Sequence, residues 1–221
     1  MAEGEQAGPE ARYGLLLITL VAVYLLSAVT HSTWAQAVHV ALVVVVVLLA
    51  ARHAHLTRRG KVLVITATVA SAIAAGVGVT SSNTEAEGIA SIWNGLLLLA
   101  TVVVIIDRVV RFEVVTAQSI YAALSSYMLI GLMFASFFGA LGYLVTEPFF
   151  ADAQPVNSQT LQYFSFTTLT TLGYGDFTAA GSLGRALAVL EALAGQVFLA
   201  TLVARLVSAY GTTRRRGPPG E

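Results

Sequence analysis

The chain has 221 residues, of which 57% are hydrophobic and only 11% charged, with twelve basic and twelve acidic side chains. A chain this apolar is not an ordinary soluble domain and belongs with integral membrane proteins. Its net charge of zero gives no argument for nucleic acid as a partner, and the lack of cysteine excludes a disulfide framework or thiol chemistry.

The first twelve residues carry Glu3, Glu5 and Glu10 before any apolar run. That is unlike the basic start of a signal peptide, so the first helix is expected to be retained. Apolar runs follow at Tyr13–Thr30, Gln36–Ala51, Val62–Thr80, Ile89–Ile106, Ile120–Val145 and Leu183–Tyr210. A spanning helix needs roughly 20 apolar residues, so six spans are expected, the last two long enough to tilt. The run Ser158–Thr171 is too short and too polar to cross, and is expected as a re-entrant helix surrounded by protein.

Basic residues orient the chain. With the amino terminus inside, Arg12, Arg52, Arg58, Arg59, Lys61, Arg108, Arg111, Arg205, Arg214, Arg215 and Arg216 fall on the cytoplasmic side. Glu85, Glu87, Glu147, Asp152 and Asp176 fall outside, with Arg185 the one basic residue there. A seven-span chain would break this pattern by sending the arginine-rich tail outside. Trp34, Trp93 and Tyr143 lie near outer helix ends, where amphipathic rings act as interface anchors. The segment Thr146–Asn157, with Pro148 and Pro155, is expected as an exposed outer loop, and Asn157 or Ser158 as the cap of the short helix. The organisation is thus a cytoplasmic amino terminus over 1–12, a four-helix membrane domain over 13–112, a second membrane domain over 113–210 and a basic cytoplasmic tail over 211–221. His53 and His55 lie in a basic loop whose charges repel metal cations, and His39 is expected to be a satisfied helix residue.

The chemistry is concentrated in Thr167-Thr168-Leu169-Thr170-Thr171-Leu172-Gly173-Tyr174-Gly175-Asp176. Dehydrating a cation inside a membrane requires oxygens that replace its water shell, and backbone carbonyls hold position better than side chains. A chain that points successive carbonyls to one side alternates ordinary and left-handed conformations, and Gly173 and Gly175 have that spacing. Carbonyls of Thr171, Leu172, Gly173 and Tyr174, with the Thr171 hydroxyl, then form a stack of oxygens suited to K+. The carboxyl end of the preceding helix favours a cation, and Asp176 at the mouth concentrates cations.

Thr171-Leu172-Gly173-Tyr174-Gly175-Asp176 resembles the signature of the tetrameric potassium-channel pore family, with Leu172 where valine is usual. Leu183-Gly184-Arg185 resembles the opening of the last helix in bacterial members. The resemblance is strong across Ile120–Tyr210 and rests on helix count alone over the first 112 residues. It implies an all-α transmembrane fold, six spans plus a re-entrant pore helix and filter loop, assembled as a homotetramer. It implies a channel rather than an enzyme, with no cofactor, K+ as the permeating ligand, and a bacterial inner membrane as the location. Filter residues are then Thr171, Leu172, Gly173, Tyr174 and Gly175, supported by Thr170, Asp176, Tyr163 and Phe164. Gly195 stands at the family's gating-hinge position, with close packing as the alternative.

Helical spacing from Gly195 puts Gln196, Leu199 and Val203 on a common cavity face. Glu191 is expected to brace the loop through Thr167, Thr168 or another hydroxyl; the alternative is a ring of charges in the cavity. Arg185 is expected at lipid headgroups, with an ion pair to an outer acid as the alternative. The run Ile89–Ile106 holds no charge, and Arg108 and Arg111 come only at its end. Each charge moved across 100 mV is worth about 2.3 kcal/mol, so steep voltage gating is not expected. Two rivals remain: a non-selective cation channel on the same frame, and a membrane enzyme or carrier. The chain has no His-Glu-x-x-His, no Gly-x-Ser-x-Gly and no inverted halves to support the second.

Overall fold

The computed structural model describes residues 11–29, 66, 84–110 and 116–214. The predicted second and third spans, with Trp34, His39, His53 and His55, lie outside the described residues, as does the tail beyond Arg214. Five helices are described: α1 (Ala11–Val29), α2 (Thr84–Val110), α3 (Ala117–Leu144), α4 (Ser158–Leu169) and α5 (Ser182–Arg214). Among the described residues, three helical stretches are long and apolar enough to cross a membrane: Thr84–Asp107, Ala117–Leu144 and Ser182–Ser208. The apolar stretch of α1, Tyr13–Leu26, is shorter.

α3 is the hub, packed against each of the other four helices. Its pairing with α2 is antiparallel: Gly88 meets Leu144, Gly139 meets Ser91 and Gly95 meets Phe137. Apolar side chains gain little from leaving lipid, so such pairs depend on close packing and interhelical hydrogen bonds. One such bond runs from Asn94 Nδ2 to Ser136 Oγ, 2.9 Å. α1 lies parallel to α3, with the Tyr13 amide donating to Gln118 Oε1 at 3.2 Å and the Tyr24 ring 4.7 Å from Phe166 of α4.

The charged ends sort by side. Asp107 of α2 and Arg205 of α5 share one side, while Glu85, Glu87, Glu147, Asp152, Asp176 and Arg185 lie at the other. On the basic side, the Arg205 guanidinium donates to the Val109 carbonyl, one of the last carbonyls of α2. Helix-end carbonyls lack an intrahelical donor, and a cation there also suits the helix dipole.

The short helix α4 begins where its cap dictates. Asn157 Oδ1 accepts from the amides of Gln159 and Thr160, both at 3.0 Å, and Thr160 Oγ1 accepts from the Asn157 amide at 3.1 Å. This reciprocal box satisfies donors that the first turn of a helix otherwise leaves bare. Asn157→Ala is expected to lower stability by about 1 kcal/mol per chain, read as an earlier thermal transition of the purified protein in detergent.

The segment 146–157 is exposed at residues 146–148, 151–153 and 155, as expected of it, but not at its two phenylalanines. Phe149 and Phe150 are buried, and their rings, with Phe138 and Phe164, form a cluster with centroids 4.9–5.8 Å apart in contacting pairs. The segment also pairs with the chain after the glycine loop. The Ala151 amide donates to Thr178 O at 2.9 Å and the Ala180 amide to Phe149 O at 2.8 Å. Aromatic edge-to-face packing is worth about 0.5–1.5 kcal/mol per pair beyond burial, enough to draw a proline-flanked loop inward.

Candidate functional site

The site begins at the end of α4. Thr170 keeps a helical backbone (φ −82°, ψ −2°), and Thr171 then turns to φ +57°. The Leu172 amide reaches back to Thr167 O at 2.8 Å and the Thr171 amide to Thr168 O at 2.9 Å. This is the two-bond closure in which glycine usually takes the left-handed position. Here a β-branched threonine takes it, against a local cost of about 1–2 kcal/mol. Such strain persists only where the surroundings impose it, and it marks functional turns.

Beyond Thr171, Gly173 has φ +48° and Gly175 φ +80°. Left-handed residues therefore recur at every second position, 171, 173 and 175, with Leu172 and Tyr174 between them. Glycine spacing alone revealed two of these three positions. Thr171 escaped sequence reasoning because its residue type argues against the conformation it adopts. The loop is open on one side: Leu172 is 54% and Tyr174 71% exposed.

The outer end of the loop is held from two directions. Gln154 Nε2 donates to the Asp176 carbonyl at 2.6 Å. The neighbouring Asp176 side chain, as a hydrogen-bond acceptor and then as a charge, holds the Tyr163 hydroxyl above the usual phenol value. The Tyr163 ring packs 5.5 Å from Phe177, which packs 5.1 Å from Phe150. Phe164 points the other way, into the buried aromatic cluster. Gln154 carried no sequence signal, because its role depends on the inward fold of segment 146–157.

The inner end is braced by α3 and α5. The Tyr127 hydroxyl donates to Leu169 O at 3.1 Å, and a Cβ on Gly195 would stand 2.4 Å from that same oxygen. Gly195 thus lies buried against the end of α4, within a helix that continues unbroken from Ser182 to Arg214. Its shape fits close packing.

Glu191 is fully buried, which removes the cavity-ring alternative. Its partner is neither Thr167 nor Thr168 but Ser165, whose Oγ lies 2.5 Å from Oε1. Among the described residues no acid pairs with Arg185; its Nε donates to the Ala179 carbonyl at 2.9 Å, next to the pairing of 149–151 with 178–180. Gln196 and Val203 are exposed on α5, and Leu199 is half-buried.

A family model described as "Ion channel" matches residues 130–211, the stretch from mid-α3 through α4 and the loop to α5. No curated protein and no solved structure matches the chain. The match to ion channels, together with the apolar helices, supports an ion-channel subunit of a membrane, and not an enzyme.

Proposed function

We propose that four copies of this chain form a potassium-selective channel, with Thr171–Gly175 as the filter. The observation that carries this reading is the left-handed recurrence at residues 171, 173 and 175 immediately after a helix end. A backbone of that form turns successive carbonyls the same way, and four such loops about one axis make rings of oxygens that replace an ion's hydration. The carboxyl end of α4 adds a partial negative charge at the inner end, and Asp176 adds a full one at the mouth.

One chain supplies one loop, so a ring needs cyclic symmetry. The exposed apolar face of α5, with Leu183, Val189, Leu190, Leu193 and Val197, and the open side of the loop fit contact with further copies of the same chain. In the assembly, Gln196, Leu199 and Val203 line the cavity below the filter, and the exposed part of Arg185 lies at headgroup level. The basic side of the helices faces the cytoplasm.

Voltage dependence is shallow on this reading. Within α2 the basic residue is Arg108, at the cytoplasmic end, so this helix carries no ladder of charges through the membrane field.

The test is flux from liposomes holding the purified chain. Potassium or thallium efflux well above sodium efflux is expected, with blunt dependence on an imposed potential. Equal sodium and potassium fluxes would favour a non-selective cation channel, and no flux would reject the reading.

A further inference from the structure

Behind the loop, three oxygens stand in a row: Gly131 O of α3, Ser165 Oγ of α4 and Glu191 Oε1 of α5. Ser165 Oγ is 2.6 Å from the first and 2.5 Å from the third. Two hydrogen bonds need two hydrogens. A peptide carbonyl has none, and a serine hydroxyl has one. The second hydrogen must come from the carboxyl group.

We propose that Glu191 is a neutral carboxylic acid that donates to Ser165, which in turn donates to Gly131. The two directed bonds tie α5 to α4 and α4 to α3, and make Glu191 a positioning residue for the filter. The inference rests on the channel reading for its effect on flux, but not for the proton itself.

Its surroundings agree. Glu191 Oε2 is buried and has no hydrogen-bond partner. As the carbonyl oxygen of an acid it is merely an unused acceptor, whereas as half of a carboxylate it would be a bare charge in an apolar bundle. From α3 the titratable group facing it is Tyr127, whose hydrogen is committed to Leu169 O. From α4 comes the Ser165 hydroxyl. On α5 itself, Arg185 bonds Ala179 O and Arg205 bonds Val109 O. No cation among the described residues is placed to stabilise an ionised Glu191.

Loss of the proton would reverse the chain. Ser165 would turn its one hydrogen to the carboxylate, leaving its oxygen against the Gly131 carbonyl with no hydrogen between them. α4 would then be pushed from α3. Flux is therefore expected to fall at alkaline pH.

The decisive experiment compares infrared spectra of the wild-type chain and Glu191→Gln in lipid nanodiscs at neutral pH. The difference should show a protonated-carboxyl stretch in the wild type that the variant lacks. Carboxylate bands in its place would overturn the proposal, whether or not the chain conducts. In liposomes, the Gln amide can donate as the acid does, so Glu191→Gln should keep flux within about twofold and lose the alkaline decline. Glu191→Ala, which cannot donate, should lose about tenfold or more. A Gln variant as impaired as the Ala variant, or one that keeps the alkaline decline, would also overturn it.

Discussion

Gly173→Ala is expected to reduce potassium flux by at least about tenfold while leaving the assembled particle its normal size. A Cβ built on Gly173 meets nothing within 4 Å, so the effect in one chain is conformational, not a clash. The backbone sits at φ +48°, where a residue with a Cβ is disfavoured by about 1–2 kcal/mol. In the proposed tetramer four copies act on one ring, giving about 4–8 kcal/mol per channel against the conducting shape. A factor of ten needs only about 1.4 kcal/mol, so even partial relaxation leaves a large loss. Flux assays on liposomes, with particle size checked by chromatography, read the outcome. Normal, selective flux would mean that the filter lies elsewhere.

The second large effect is expected at Gly195→Ala. The added Cβ would stand 2.4 Å from Leu169 O and 2.9 Å from Leu169 Cδ1, so about 1 Å must open between α5 and the end of α4. Overpacking of this kind costs about 1–3 kcal/mol per site, and here it bears on the oxygen that also receives the Tyr127 hydroxyl. The variant is expected to unfold at lower temperature and to select less well between potassium and sodium. A hinge role predicts something else: fewer openings, with selectivity and thermal stability intact. Recording single-channel selectivity beside a melting curve separates the two.

Much of the architecture was legible in the sequence because it depends on length and composition. Apolar stretches of spanning length mark the helices α2, α3 and α5, and the polar brevity of 158–169 marks α4 as a different kind of element. The glycine spacing at 173 and 175 likewise reports the backbone directly, since few other residues tolerate positive φ. Sequence reasoning was weaker wherever a role depends on a partner distant along the chain. Glu191 was recognisable as a costly buried charge, but which hydroxyl it meets depends on the packing of α4 against α5, which selects Ser165. Phe149 and Phe150 were read as part of an exposed loop because two prolines flank them, yet aromatic packing with Phe138 and Phe164 draws them in. Arg185 was expected at lipid headgroups, and its bond to the carbonyl of Ala179, six residues back along the chain, was not foreseen because only the fold brings the two together. Thr171 is the sharpest case, since its residue type argues against the very turn that places the loop.

On the proposed function, ions are stripped of water along an axis shared by four copies of residues 171–175. Imaging the reconstituted particle at high resolution, once in potassium and once in sodium, addresses this most directly. The prediction is a four-fold particle with density on the axis in potassium, ringed by the carbonyls of Thr171, Leu172, Gly173 and Tyr174, and an altered or emptied column in sodium. A particle without four-fold symmetry, or an axis with the same density in both salts, would contradict it.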